Sequence, residues 1–396
     1  MEHRKLQNNL IKLNIYAFFL TFLVVIPVIV PFFQAKGLSL KDVFLLQGIF
    51  GMALICFDVP AGYLADYLGR KKMMVLGSII SALGYSVLSI GSSFQHFALF
   101  EIIVGLGLSF QSGCDVAILY NTVEKLKLVG SKSKFLGQRI MSNTTGEGVA
   151  SLLGGALVGF SLDLPATVNA VMAWIPVLVA LTIYDPPGQS LPKGSHLQNL
   201  KNISKALFGH SKLLSFVILN FIFYSFATYC AIWSLQAYWK ERGIAVGLFG
   251  YLWAANSFAV ALVSFFTHRI EKKIGPVKVI ILISLLPVVG YLGMGFSGGL
   301  IGLVFTLAFP VCRGLNQVIF QDAINSRVPA EIRATANSVG SLGMRALFVV
   351  FGPLLGFYID KYGTNEAMKL MGVVYLAGLF LVAMPLLSQR REFKVG

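Results

Sequence analysis

The sequence predicts an all-α membrane protein with twelve transmembrane helices in two pseudo-symmetric six-helix bundles. Of the 396 residues, 56% are hydrophobic and 12% are charged, whereas soluble domains carry about 25% charged residues. Apolar runs reach the roughly 20 residues needed to cross a bilayer. They are too long for the strands of a membrane barrel, which take about 10 residues each, so helices are predicted. The runs are centred near residues 22, 52, 82, 107, 149, 174, 225, 256, 286, 309, 347 and 377.

Positive charges indicate how the runs are oriented. The 32 Lys and Arg outnumber the 17 Asp and Glu, an excess that could suit nucleic acid if it formed one basic surface. Instead, most of these residues flank alternate runs, as the positive-inside rule expects of cytoplasmic loops. We therefore predict a multi-pass protein of the inner membrane with both termini in the cytoplasm, and no nucleic-acid partner. Residues 11–33 are predicted to form the first span rather than a cleaved signal peptide. The predicted outer residues are Lys36, Lys41, Lys240, Arg242, Lys361 and Lys369.

The chain is predicted to divide into two six-span bundles, residues 1–184 and 212–396, joined by a cytoplasmic linker, residues 185–211. Part of the linker has helical spacing of apolar residues between lysines, so it is either an amphipathic segment on the inner leaflet or a flexible connection. A repeat supports the division, because "GALVGFSLD" at 155–163 and "GPLLGFYID" at 352–360 occupy equivalent places in the two halves. Each copy has two glycines four residues apart, which permits close contact with another helix.

A cluster of charged residues and glycines, "GYLADYLGRKK" at 62–72, follows the second run; we name it the signature loop. Asp58, Gly62 and Asp66 recur every four residues and form one stripe along a helix, with Gly62 leaving room for a neighbour. An ordinary cytoplasmic loop needs basic residues but not these glycines and acids at these spacings. Arg70 is expected to pair with an acid on an adjacent span.

The signature loop resembles the loop between spans two and three of the major facilitator superfamily, G-x-L-A-D-x-x-G-R-K. "DVPAGYLAD" at 58–66 and "SGCDVA" at 112–117 resemble motifs of a bacterial subgroup. The resemblance implies two bundles that rock around a central substrate site. It also implies a gating loop that stabilises the outward-facing state. The residues to which it assigns gating are Asp58, Gly62, Asp66, Gly69, Arg70 and Lys71.

Three features depart from the superfamily pattern. Glu101 stands where drug exporters have an arginine, so the proton-coupling role of that arginine does not transfer. Asn121 replaces the aspartate expected to pair with Arg70, and Asp115 or Glu124 is the expected substitute. The second-half counterpart, "HRIEKKIGPVK" at 268–278, is a degraded copy in which Glu271 lies near the aspartate position and Gly275 lies one residue out of register.

Ionisable residues inside predicted spans are costly and are therefore functional candidates. Glu101, Glu147 and Asp115 are candidates for proton coupling. The alternatives are hydrogen-bonded acids or ion pairs for the two glutamates, and pairing with the motif arginines for Asp115. Arg313 and Arg345 stay charged and need an anion nearby. They either neutralise acids in the spans or bind a carboxylate or phosphate substrate.

Neutral polar and aromatic residues could complete a substrate site. Amides could hydrogen-bond an anionic ligand, and aromatic rings in spans seven and eight could stack on it. The candidates are Asn143, Asn316, Gln317, Asn256, Tyr224, Tyr229, Trp233 and Trp253.

The function that follows is secondary active transport of a small solute by alternating access, coupled to protons. Efflux of an amphipathic or anionic compound is favoured. The alternatives are uptake or uncoupled diffusion of an anionic metabolite or siderophore-like chelator, and, more remotely, a polytopic enzyme or receptor. Catalytic motifs, phosphate-binding loops and metal-ligand spacings do not occur in the sequence, so we expect no enzyme activity, cofactor or metal. The expected partners are the substrate, protons and the lipid bilayer, with the protein as a monomer.

Overall fold

A computed structural model describes residues 2–128, 132–186, 211–328 and 333–393, and the regular structure in these ranges is helical. The helical class is therefore confirmed. Residues 187–210, which hold most of the predicted linker, lie outside the described residues, so both interpretations of that linker stay open. The backbone of Asp66 is described but its side chain is not. The same holds for Val59, Ser133, Arg333, Ala334, Thr335 and Asn337.

The first half of the chain includes the two helices that contain the signature loop and meet at Gly69. In chain order, the described α-helices of this half are α1 (Glu2–Leu20), α2 (Ile29–Ala35), α3 (Leu40–Leu68), α4 (Arg70–Ile90), α5 (Phe94–Gln111), α6 (Cys114–Lys125), α7 (Lys132–Val158), α8 (Leu164–Met172) and α9 (Ile175–Thr182).

The second half contains further helices, which range from 5 to 46 residues. They are α10 (Lys212–Glu241), α11 (Phe249–Ile274), α12 (Pro276–Phe296), α13 (Gly302–Thr306), α14 (Ala308–Asn325), α15 (Arg333–Gly378) and α16 (Met384–Ser388). A π-helical turn at Leu379–Ala383 joins the last two.

Within the described ranges, nine helical segments are long and apolar enough to cross a membrane. This supports a multi-pass protein, while the count of twelve stays a prediction. One of the nine, Ser338–Ser388, has 51 residues. At about 1.5 Å per residue it exceeds the roughly 30 Å of a single crossing. Gly363 interrupts it with a left-handed φ of 85°.

Two predicted spans are interrupted. The first run, predicted as one span over residues 11–33, leaves the α-helix after Leu20 and resumes at Ile29, with Pro27 in a short 3-10 turn between. Proline lacks the N–H that would continue the ladder. The fourth run breaks between α5 and α6 at Gly113, whose φ of 72° favours glycine. The apolar pattern alone does not reveal either break.

The described chain forms two compact units. The first comprises Met1–Leu38, Leu46–Lys193 and Ala245–Ala254, and the second comprises Ser39–Leu45, Gly194–Ile244 and Ala255–Gly396. Two short segments, the beginnings of α3 and α11, thus group with residues from the other half of the sequence. The predicted boundaries do not include this exchange.

A buried polar cluster lies within the first unit. The hydroxyl of Tyr16 donates to Gln111 Oε1 at 3.0 Å and lies 3.1 Å from Ser78 Oγ, and Gln111 Nε2 donates to Ser81 Oγ at 3.0 Å. α4 and α5 approach closely beside it, because a Cβ on Gly77 would lie 2.6 Å from the carbonyl oxygen of residue 107. These bonds satisfy polar groups that would otherwise be costly in lipid.

In the second unit, the repeated "GPLLGFYID" segment holds the start of α3. The carboxylate of Asp360 accepts the backbone N–H groups of Leu40 at 2.9 Å and Lys41 at 2.7 Å. A helix N-terminus leaves such donors unpaired and favours an anion. A Cβ on Gly356 would lie 2.8 Å from the Lys41 Cα. The repeat therefore provides both the close approach and the cap.

Candidate functional site

The signature loop forms a sharp corner between α3 and α4 at Gly69. Its φ of 91° and ψ of 147° are accessible to glycine but strained for other residues. Gly275 forms the same corner between α11 and α12, with φ 86° and ψ 154°. In each case the glycine N–H donates four residues back, at 3.1 Å to Ala65 and 2.8 Å to Glu271. The prediction that Gly275 is out of register is therefore wrong, and the shifted residue is Glu271.

Other residues of the signature loop have different surroundings. Asp58 is half-buried and accepts a hydrogen bond from Ser109 Oγ at 2.7 Å. Gly62 is exposed, and a Cβ there would meet open space. Among the described residues, the neighbour predicted to approach Gly62 is not seen. The backbone N–H of Lys71 donates to Asp185 Oδ2 at 3.3 Å, which places an acid at the start of α4.

Asp115 forms a buried ion pair with Arg139 of α7. Arg139 Nε and Nη2 lie 2.6 and 2.5 Å from Asp115 Oδ2. Glu124 lies 4.0 Å from Lys132. Among the described residues, Arg70 forms no ion pair with either acid, so the substitutes predicted for the missing aspartate are wrong. The cation that pairs with Asp115 is Arg139 of α7, not Arg70.

Glu101 is buried in α5 with an amide as its partner. Gln47 Nε2 donates to Glu101 Oε1 at 2.7 Å, and Glu101 is 3% exposed. A glutamine amide carries both donors and an acceptor, so after rotation it can serve a carboxylate or a carboxylic acid. A guanidinium such as that of Arg139 can only donate. The surroundings of Glu101 therefore accommodate both protonation states, unlike those of Asp115.

Glu147 lies beside a cavity of about 120 Å³ in the first unit. Trp253 Nε1 donates to its Oε1 at 3.2 Å, and the apolar wall includes Leu23 and Ile26. One turn earlier, the Asn143 carbonyl accepts a hydrogen bond from Thr21 Oγ1 at 2.7 Å, and Thr21 also lines the cavity. Two predicted candidates, Glu147 and Trp253, are thus brought together.

A cavity of about 190 Å³ in the second unit combines a cation, amides and aromatic rings. Arg313 is exposed into it from α14, and Asn316, Gln317 and Gln321 lie on the same helix. Asn316 Nδ2 donates to Ser225 Oγ at 2.9 Å, which ties this wall to α10. Lining residues on the opposite side are Phe221, Ser225, Thr228, Tyr229, Ile232, Ser341 and Met344.

Six predicted substrate residues do not line this cavity: Asn143 and Trp253 belong to the first unit, and the other four lie elsewhere in the second unit. Phe221, Ser225, Thr228 and Ile232 follow one another at four, three and four residues and form one stripe of α10. Tyr224 and Trp233 lie outside this stripe and are buried, whereas Tyr229, one residue after Thr228, does line the cavity. Arg345 and Asn256 are half-buried elsewhere in the second unit. The aromatic content of α10 did not indicate which face lines the cavity.

Sequence reasoning missed Gln47, Arg139, Ser225 and Thr228. The sequence could have indicated Ser225 and Thr228, since they lie at helical spacing from Phe221 and therefore on the same face of α10. The sequence offers no such indication for Gln47 and Arg139, because their partners lie 54 and 24 residues away.

Chemically, the second-unit cavity suits an amphipathic anion. A guanidinium binds a carboxylate with two parallel hydrogen bonds, neutral amides add donors and acceptors, and Tyr229 with Phe221 provides apolar surface. The acids of the first unit are separate sites at which a proton can be held.

Comparisons with known proteins agree with this architecture. A family model described as Major Facilitator Superfamily matches residues 13–353. Multidrug resistance protein 2 of Bacillus subtilis is 22% identical over 384 residues, covering 93% of this chain and 92% of the relative. The quinolone resistance protein NorA of Staphylococcus aureus is 21% identical over 381 residues, covering 93% and 94%.

Solved structures show the same fold at low identity. The nucleoside transporter NupG superposes with a TM-score of 0.78 at 15% identity, covering 97% of this chain and 99% of NupG. A bacterial homologue of the human lysosomal transporter Spinster superposes with a TM-score of 0.76 at 18% identity, covering 98% of both chains. With the family model matching most of its length, this chain belongs to the major facilitator superfamily of membrane transporters.

Proposed function

We propose that this transporter exports amphipathic aromatic carboxylates across the inner membrane in exchange for protons. The observation that carries the substrate class is Arg313, exposed in a cavity whose other walls carry amide, hydroxyl and apolar groups. One curated relative is named for quinolone resistance, and quinolones combine an aromatic body with a carboxylate. The relatives named for drug resistance favour export over uptake.

Proton coupling is proposed for Glu101, with Glu147 as the second candidate. Glu101 is buried and bonded to an amide that can serve both of its protonation states. Asp115 is assigned a structural role instead, because its partner is the guanidinium of Arg139. The gating role implied for the signature loop also remains a proposal. It is supported by the glycine corner at Gly69 and by the acid that binds the start of α4.

The substrate assignment is tested by replacing Arg313 with glutamine. We expect Arg313→Gln to weaken binding of norfloxacin, which carries a carboxylate, at least about tenfold, because a charge-assisted hydrogen bond contributes roughly 1.5–3 kcal/mol. Binding of the norfloxacin methyl ester should change little. The measurement is ligand-dependent fluorescence or calorimetry on purified protein.

Arg345→Gln is the matched control, since it removes the same charge from the second unit outside the cavity. Equal weakening of the acid and the ester by Arg313→Gln, or equal effects of the two arginine variants, would refute the carboxylate site.

A further inference from the structure

A third cavity, of about 270 Å³, lies in the first unit where α1, the start of α4 and the chain after α9 meet. Lys5, Lys12 and Lys71 line it, together with residues 182–185. A water molecule takes about 30 Å³ of liquid, so the space admits a group of several heavy atoms. This cavity is distinct from the two cavities described above.

Two of the lysines point at a common wall. Lys5, Asn8 and Lys12 lie three and four residues apart and therefore share one face of α1. Lys12 Nζ donates to the Thr182 carbonyl oxygen at 2.7 Å, and Lys5 Nζ lies 5.6 Å from the centre of the Tyr184 ring. Two ammonium groups are thus held along the same side of the cavity.

That wall is held in place by a buried amide. Asn9 Nδ2 donates to the Tyr184 carbonyl oxygen at 2.6 Å, and the Tyr184 N–H donates to Asn9 Oδ1 at 2.9 Å. Asn9 is fully buried. The pair of bonds fixes the chain after α9 against α1, so the cavity exists without a ligand to shape it.

The cavity has an excess of positive charge. Asp185 is the acid among its lining residues, and its carboxylate accepts the Lys71 N–H at 3.3 Å. Glu2 bonds the Tyr184 hydroxyl at 3.1 Å but does not line the cavity. Within the described part of the chain, Lys5 and Lys71 have no carboxylate oxygen at ion-pair distance. Three lysines therefore line the cavity beside one acid, whose carboxylate already accepts a backbone N–H.

We propose that this cavity binds the phosphate group of a phosphate ester. Ammonium groups act as compact point charges on phosphate, and Asn8 can add an amide donor. The cavity lies at helix ends on the predicted cytoplasmic side, where basic pockets meet anionic lipid headgroups. The same chemistry would bind a soluble phosphate ester. The site includes Lys71 of the signature loop, yet its occupancy is measurable without any transport assay.

Two probes distinguish the sources of the phosphate. Full-length protein is placed in nanodiscs of phosphatidylcholine with increasing phosphatidylglycerol, and lipid retained by the protein is counted by native mass spectrometry. In parallel, detergent-solubilised protein is titrated with glycerol phosphate and its thermal unfolding is followed. Binding to the folded state raises the unfolding temperature. Saturable retention of phosphatidylglycerol identifies a lipid site, whereas saturable stabilisation by glycerol phosphate alone identifies a soluble ligand.

Lys5→Gln is the informative variant, since its described contact is the ring of half-buried Tyr184 and its loss should leave the fold intact. We expect about fivefold weaker binding of the probe, because one lysine near an anionic headgroup contributes roughly 1 kcal/mol. Arg4→Gln removes the same charge from an exposed position outside the cavity and should leave binding unchanged. A thermal unfolding transition measured in phosphatidylcholine nanodiscs, without phosphatidylglycerol, verifies that both variants are folded. Equal weakening in the two variants, or saturable binding of neither probe, would overturn the proposal.

Discussion

At the scale of single residues, backbone conformation accounts for the glycines of the signature loop better than side-chain contacts do. Gly69 has a φ of 91°, whereas Gly62 lies within α3 and faces open space. Both belong to one sequence motif, yet in this structure only Gly69 is required by the backbone. The corresponding corner at Gly275 shows that the second half retains the backbone feature after losing most of the motif.

Gly69→Ala should lower the free energy of unfolding by about 1–2 kcal/mol, because a left-handed conformation is strained for alanine. Gly62→Ala should leave stability unchanged or raise it by about 0.5–1 kcal/mol, as expected for glycine to alanine in a helix. Thermal unfolding of the purified variants measures both changes.

Transport by Gly62→Ala adds a test of gating. If the loop closes on a neighbour in another state, this stable variant should transport more slowly than the wild type. If Gly62→Ala transports at the same rate as the wild type, that result would contradict a gating contact at this position. A loss of stability equal to that of Gly69→Ala would contradict the distinction between the two glycines.

At the scale of helices, each copy of the repeated glycine segment has one glycine at which the backbone of another segment approaches closely. In the first unit, a Cβ on Gly155 would lie 2.6 Å from the Gly247 carbonyl oxygen, whereas one on Gly159 would meet Ala156 of its own turn at 3.2 Å. In the second unit the close approach is at Gly356 instead. The repeat in sequence thus corresponds to related but shifted packing.

Gly155→Ala should cost about 1–3 kcal/mol of stability, the usual effect of overpacking, because backbone atoms cannot move aside as a side chain can. Gly159→Ala, one turn later in the same repeat, is the matched control and should have little effect. Thermal unfolding in detergent compares them. Similar stability of the two variants would show that the glycine at 155 does not set the helix approach.

The sequence predicted the helical class well because apolar runs are a local pattern. Apolar runs, the glycine at 69 and the repeat at 352–360 are read directly from neighbouring residues. Local patterns do not predict contacts between residues that are far apart in the sequence. The expected partner of Asp115 was Arg70, but Arg139 occupies that place, and α10 presents Ser225 rather than Tyr224 to the cavity.

At the scale of the whole molecule, the proposed cycle couples an anion site to two acids within helices of the first unit. The second unit contains the cavity with Arg313, and the first unit contains Glu101 and Glu147. In this proposal a gradient powers the transport. Proton coupling is therefore its central claim.

The most direct measurement is norfloxacin accumulation in proteoliposomes with and without an imposed pH gradient. We expect the wild type to accumulate norfloxacin only with the gradient. Glu101→Gln keeps the size and an amide partner for Gln47 but removes the titrating proton, so it should lose accumulation while still exchanging norfloxacin at equal concentrations. Glu147→Gln is measured alongside as the second candidate. Gradient-driven accumulation that persists in both variants would contradict the account.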